Sequence, residues 1–494
     1  MNHRTETSPH PTNWVELLRR RASLAPDDRA FTFLLDGEDE KGSLTYGTLD
    51  QQARSIAAHL QELQGAGERA LLVYPPGLDY LAGFFGCLYA GVTAVPLYPP
   101  FQNRHLTRFE AIAQDAQATL ALTTSALLGK MERLSAQSLA LAGLRWIATD
   151  TLETGFASLW REPSLSSDSL AFLQYTSGST GLPRGVMLSH GNLLHNVRAF
   201  CGRFGLTSRG RAVAWQPLFH DMGLIGMVLN PLYAGFPMVL MSPMAFLQHP
   251  VRWLRAISRY RISFSGAPTF AYDLCVRKIA PEERQDLDLS SWQVAVVGAE
   301  PVHLETLERF SQAFASCGFR REAFYPCYGL AEATLIVSGG PRSRPPHAKQ
   351  LEKRALERNT VVEVSSEAED EQAIAGCGLP LHGLRVVVVD PETLTECPPQ
   401  HVGELWVAGP SVAQGYWNRS EETDAYFHAR LSPEGDSFLR TGDLGFLDQG
   451  EVYVTGRLKD VIIIRGLNYY PQDLELTVQG CDAALRSRVG AAFS

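Results

Sequence analysis

Apolar positions recur at helical spacing in two early stretches. Over Trp14–Leu24 the residues Trp14, Leu17 and Leu18 share one side, and over 46–63 Leu49, Ile56 and Leu60 do. Each pattern predicts an amphipathic helix. Short β-rich runs follow at 70–74, 93–98, 119–124, 145–149 and 171–176, then at 212–215, 238–241, 262–265 and 294–297. Strands separated by helix-length segments predict the α/β class, with parallel sheets covered on both faces. Past about 341 the pattern changes. Residues 341–375 are rich in Pro, Arg, Lys and Glu and predict a solvated insertion or linker. Beyond it, runs at 384–389, 404–407, 451–455 and 461–465 lie close together with Gly-rich turns between. They predict a small antiparallel or barrel-like unit.

Two uncharged stretches, 80–100 and 222–248, are each long enough to span a bilayer. Pro96, Pro99 and Pro100 interrupt the first, and Pro231, Pro237 and Pro243 the second. Punctuation at that density predicts deep core or the wall of an apolar pocket. The second stretch carries five methionines, Met222, Met227, Met238, Met241 and Met244, whose flexible thioethers suit a flexible apolar ligand.

The 494 residues include 44 Lys+Arg and 53 Asp+Glu, a formal charge of −9. A net acidic chain is a poor generic binder of nucleic acid or anionic membrane. With 45% hydrophobic and 20% charged residues the chain is not broadly disordered. Eight scattered cysteines include no CxxC pair, which predicts reduced thiols in the cytoplasm. Residues 1–13 are polar and show no secretory signal.

The strongest chemical signal is Tyr175-Thr-Ser-Gly-Ser-Thr-Gly-Leu-Pro-Arg-Gly185, directly after a strand-like run. Its glycines let the backbone curl so that N–H groups converge on an anion, and its hydroxyls add donors. Arg184 adds a forked positive charge suited to phosphate oxygens. The spacing excludes a Walker loop, a dinucleotide-binding turn and a nucleophile elbow.

This loop resembles the phosphate-binding signature of the adenylate-forming superfamily, which contains acyl-CoA synthetases, luciferases and peptide-synthetase adenylation domains. Five further motifs agree in order: Gly298-Ala-Glu-Pro301, Tyr328-Gly-Leu-Ala-Glu332, Gly403-Glu-Leu-Trp-Val-Ala-Gly409, Arg440-Thr-Gly-Asp443 and Gly456-Arg-Leu-Lys-Asp460. The wording at His220–Leu224, Ser265–Pro268, Phe270–Leu274 and Leu458–Arg465, with Tyr470–Asp473, is similar to that of one branch, the fatty acyl-AMP ligases. Residues 341–375 fall where that branch carries its distinguishing insertion.

The resemblance implies a large N-terminal adenylation domain over residues 1–458. It would hold two doubly wound α/β subdomains and a small β-barrel subdomain. Residues 459–494 would form a hinge at Lys459 and the start of a C-terminal lid. It implies ATP-dependent activation of a medium- or long-chain fatty acid to acyl-AMP and pyrophosphate, with Mg²⁺. The acyl group would then pass to an acyl-carrier-protein phosphopantetheine thiol or a downstream polyketide or peptide synthase domain. Thr176, Ser177, Gly178, Ser179, Thr180, Gly181 and Arg184 would hold the β- and γ-phosphates, and Thr176 with Glu332 the Mg²⁺. Gly298, Ala299, Glu300, Pro301 and Tyr328 would flank the adenine, followed by Gly329, Leu330 and Ala331. Asp443 would accept from the ribose hydroxyls with help from Arg457, and His220 would sit near the carboxylate and α-phosphate. Met222, Gly226, Phe270 and Tyr272 would wall the alkyl chain. The family's lid lysine, in a Gly-Lys motif, has no counterpart between Lys459 and Ser494, so this chain is expected to end within the lid and adenylate slowly. A fragment of a fatty acyl-CoA synthetase and a non-catalytic nucleotide- or lipid-binding module remain as other readings. Arg184 and Ala331 stand where many superfamily members carry Lys and Thr.

Overall fold

The structure, a computed structural model, describes residues 11–100, 103–176, 183–340, 344–365, 370–464, 467–471, 474–475, 478, 481 and 491–493. Nine strands form one large sheet. Its central strands, from Phe324–Tyr328 through Val294–Val297, Phe264–Ala267, Ala212–Ala214 and Met238–Met241 to Arg29–Leu35, run parallel. Antiparallel strands close both edges, Asp39–Thr45 on one side and Ser338–Gly339 with Leu379–Pro380 on the other. A second sheet of six strands, Arg145–Ala148, Leu120–Thr123, Arg69–Val73, Thr93–Leu97, Leu170–Thr176 and Arg184–Ser189, is parallel except for its last strand. This is the α/β architecture the sequence predicts. The hairpin over 29–45 was not among the predicted strands.

The period-2 alternation divides each strand between two cores. In the large sheet Ala212, Ala214, Leu240, Val294 and Val296 face a core shared with the second sheet. Val213, Val239, Ala295 and Val297 face an aromatic core on the other side, built on Trp253, Trp292, Phe310 and Phe324. In the second sheet Ala70 and Leu72 face the shared core, while Leu71 and Val73 face a third. Residues 80–100 are the Leu78–Ala90 helix, wedged between the two sheets, and the buried Thr93–Leu97 strand. No helix among the described residues is long and apolar enough to cross a membrane.

The C-terminal unit is an antiparallel sheet of four strands, Arg385–Val389, Gly403–Ala408, Leu439–Asp448 and Glu451–Arg457. The expectation of a solvated linker over 341–375 is corrected. Ala348–Glu352 pairs antiparallel with Glu371–Ala375. Leu351, Leu356 and Ile374 bury against Leu444, Phe446, Tyr453 and Tyr470. Charged residues of the ribbon also pair with the sheet it docks on: Lys349 reaches Asp448 at 2.9 Å and His347 reaches Glu451 at 3.0 Å. Three apolar residues at the right register suffice to dock the ribbon.

Candidate active site

Parallel sheets leave a crevice at the C-terminal ends of their strands. Here Thr176 ends a strand of the second sheet, while Gly298 and Gly329 immediately follow strands of the large one. Together with the four-stranded sheet these ends enclose a cavity of about 420 Å³. Thr176, Arg184, His220, Met222, Gly226, Gly298, Ala299, Tyr328, Gly329, Leu330, Ala331, Glu332, Asp443, Arg457 and Lys459 all line it. Two backbone features mark its floor. Ala299 adopts φ +68°, a conformation costly for a residue with a Cβ. Gly329 approaches the chain so closely that a Cβ would lie 1.8 Å from the Leu335 carbonyl oxygen.

At one rim, carboxylates are held by fixed partners. Asp443 is buried and accepts from the Tyr328 hydroxyl at 2.8 Å, with Arg457 Nε at 3.3 Å. Glu404, 1% exposed, receives Arg440 Nη2 at 2.9 Å, the Trp406 indole at 2.9 Å and the Gly442 backbone N–H at 3.0 Å. Glu404 thereby fixes the turn that presents Asp443. Burial raises the Asp443 carboxyl above its ordinary value, and Arg457 and Tyr328 oppose the rise.

At the opposite end Arg184 is nearly buried. Its Nη2 lies 2.6 Å from Glu422 Oε2, and its guanidinium stands over the rings of Tyr416 and Tyr426. The Tyr416 hydroxyl donates to Glu332 Oε1 at 2.9 Å. Glu332 takes part in none of the described ion pairs. Burial raises its carboxyl, opposed by the Tyr416 hydroxyl and reinforced by Asp443 and Asp221. An acidic oxygen facing a cavity with a hydroxyl beside it and no basic partner fits a hard divalent ion that completes its shell with phosphates and water. His220 Nδ1 lies 2.7 Å from Asp221 Oδ1, and that carboxylate raises the half-exposed imidazole above its usual value against a smaller desolvation effect.

The remaining wall is apolar. Met222–Leu229 is wound as a π-helix, a form concentrated at functional sites. Met222, Gly226 and Met227 from it meet Phe200, Val296, Leu335 and Ile336. A Cβ on Gly226 would sit 3.4 Å from Leu335 Cδ2, ordinary contact distance.

Several expected residues lie elsewhere. Tyr272 is fully buried on the far face of the large sheet, packed among Trp253, Trp292 and Phe310. Phe270 packs edge-on to Trp215. Neither reaches the cavity, because their helix, Thr269–Lys278, covers the opposite face. Glu300 and Pro301 turn toward the same helix, accepting from the Phe270 N–H at 2.6 Å and the Thr269 hydroxyl at 3.2 Å. Met238 and Met241 are core, and Met244 is exposed. Ser177, Gly178, Ser179, Thr180 and Gly181 lie outside the described residues. Sequence reasoning missed Tyr416, Tyr426 and Glu422. Their one signal is a Tyr-Trp…Glu-Glu stretch shortly after a recognised motif, more than 200 residues from Arg184.

The model of the AMP-binding enzyme family matches residues 18–417. JamA of Moorena producens, a medium-chain-fatty-acid–[acyl-carrier-protein] ligase, is 48% identical over 99% of this chain and 84% of its own length. TtuA of Teredinibacter turnerae, with the same description, is 35% identical over 95% of this chain and 80% of its own. Among solved structures, a fatty acyl-adenylate ligase of L. pneumophila in complex with acyl adenylate and pyrophosphate superposes with a TM-score of 0.86. It is 42% identical and covers 96% of this chain and 82% of its own.

Proposed function

The chain belongs to the AMP-binding enzyme family, in its fatty acyl-AMP ligase branch, and from that premise we propose how its cavity works. The enzyme activates a fatty acid with ATP to acyl-AMP and pyrophosphate, for delivery to the phosphopantetheine thiol of an acyl carrier protein. One observation carries the reading: a single cavity joins a charged rim to an apolar arm, as a reaction between a nucleotide and an alkyl carboxylate requires.

The fatty acid carboxylate is already ionised at neutral pH. It attacks the α-phosphorus, the bond to the bridging oxygen breaks, and pyrophosphate leaves, so no enzymic base is needed. Catalysis is positioning and neutralisation of phosphate charge. We assign the phosphates to Arg184 and Thr176, the ribose to Asp443 with Arg457, and the base to the pocket of Gly298, Ala299 and Tyr328. A Mg²⁺ bound with the nucleotide supplies charge neutralisation at the phosphate oxygens, and Glu332 with Thr176 would hold it. His220, whose imidazole Asp221 holds above its usual value, faces the reacting carboxylate. The alkyl chain lies along Met222, Gly226, Met227 and Phe200. We place the catalytic domain at residues 1–458 and the hinge at Lys459. Eight free thiols support a cytoplasmic setting.

The test supplies dodecanoic acid, ATP and Mg²⁺, then offers coenzyme A or a phosphopantetheinylated carrier protein in parallel. Acyl-AMP and acylated carrier are expected. Efficient acyl-CoA formation with no carrier loading would overturn the acceptor assignment.

A further inference from the structure

Arg184 is held from behind by a chain of alternating charge. Glu422, on the Ser420–Phe427 helix, contacts Arg184 through Oε2 and Arg419 Nη1 through Oε1 at 3.3 Å. Arg419 Nη2 in turn lies 2.9 Å from Asp115 Oδ1, and Asp115 Oδ2 accepts from the Tyr175 hydroxyl at 2.7 Å. Arg184, Tyr416 and Tyr426 line the cavity, whereas Glu422 does not.

We propose that Glu422 is a positioning residue that stands in for phosphate: it compensates Arg184 while the phosphate site is empty and yields the guanidinium to the nucleotide. This rests on the assignment of Arg184 to the phosphates made above. A nearly buried guanidinium without a counter-ion is costly, so a site that keeps one ready needs an internal anion. Transfer to phosphate leaves Glu422 its contact through Oε1 with Arg419, and the buried Oε2 gives up an ion pair rather than a hydrogen bond. The flanking rings of Tyr416 and Tyr426 hold the guanidinium by cation–π contact. A forked guanidinium–phosphate pair is favoured over a single-oxygen contact to carboxylate. The arrangement has a consequence for the product. Glu422 competes with pyrophosphate for Arg184 and so weakens product binding.

The experiment is calorimetric titration of inorganic pyrophosphate with Mg²⁺ into the wild-type protein, Glu422→Gln and Glu422→Asp. Gln keeps a hydrogen-bond acceptor for Arg419 and removes the charge; Asp keeps the charge and withdraws it by one methylene. Pyrophosphate is expected to bind Glu422→Gln about fivefold tighter than wild type, the size of a partly exposed ion pair, with Glu422→Asp between them. The gain should shrink at high salt and vanish when Arg184→Met is added. A purely structural role for Glu422 could only weaken binding. Equal or weaker binding by Glu422→Gln, with wild-type affinity intact, overturns the handover alone. Failure of the wild type to bind either pyrophosphate or MgATP would instead remove the phosphate-site assignment on which it rests.

Discussion

The two charged ends of the cavity hold their charge in opposite ways. At the Asp443 end every acidic oxygen has a partner from the same four-stranded sheet or the adjoining Tyr328, and Glu404 alone takes donors from three residues. At the Arg184 end the cation is quenched by a carboxylate that sits outside the cavity, and the cavity-facing Glu332 has the Tyr416 hydroxyl and, among the described residues, no ion-pair partner. The difference follows from the ligand parts each end would meet. Ribose is neutral, so its site needs acceptors fixed in advance and nothing to displace. A triphosphate with its metal ion brings charge of both signs, so its site must keep a cation in reserve and an anion unpaired. Preorganisation serves the first end and exchange of partners serves the second.

The largest expected effect breaks the fixed end. Asp443→Asn removes the charged acceptor and leaves Arg457 and Tyr328 without their carboxylate. Hydrogen bonds to charged groups are worth about 1.5–3 kcal/mol, so KM for ATP should rise roughly tenfold to a hundredfold with KM for fatty acid unchanged, as steady-state kinetics in each substrate will read. An equal loss at both substrates would mean that Asp443 supports the fold rather than the nucleotide.

A smaller effect separates both charged ends from the apolar arm. Gly226→Ala fits its space at ordinary contact distance but displaces ligand. Each methylene excluded costs about 0.8 kcal/mol, roughly fourfold in kcat/KM, and the loss should grow with acyl length while ATP binding holds. A chain-length profile that does not move would place the alkyl chain elsewhere.

The smallest effect concerns pH. Asp221 raises the His220 imidazole above its ordinary value, so the protonated form persists into a higher range. That proton is held below the folded-state value and lost as pH rises through it, and kcat/KM for fatty acid should fall on that alkaline limb. Asp221→Asn should move the limb to lower pH, and His220→Gln should erase it. A limb that stays put in Asp221→Asn would assign the titration to another group.

Much of this molecule can be read from its sequence at strand ends and little of it across sheet faces. Thr176, Tyr328, Glu332 and Asp443 sit in short motifs whose local geometry the chain itself sets, and all four reach the cavity. Phe270 and Tyr272 follow an equally legible strand, yet their helix covers the far face of the sheet. A parallel sheet buried on both sides gives both faces the same apolar code, so residue type cannot tell the two apart. The docked ribbon within 341–375 was hidden for a related reason, since Leu351, Leu356 and Ile374 are few among many charges. Glu422 and Tyr416 were hidden by distance along the chain: only the pairing of residues 414–417 with the Arg184–Ser189 strand brings them to Arg184, through the Trp417 N–H to the Gly185 carbonyl and the Met187 N–H to the Gly415 carbonyl. Spacing rules act over a few residues, and this contact spans more than two hundred.

The central claim is that one cavity holds adenosine at its fixed rim and an alkyl chain in its apolar arm at the same time. Calorimetric titration with a non-reacting dodecanoyl-sulfamoyl adenosine tests this most directly, because it reads binding without turnover. Binding of one analogue per chain, far tighter than AMP and weakened separately by Asp443→Asn and Gly226→Ala, is the predicted result. An analogue that binds no tighter than AMP, or is unaffected by either substitution, would contradict the account.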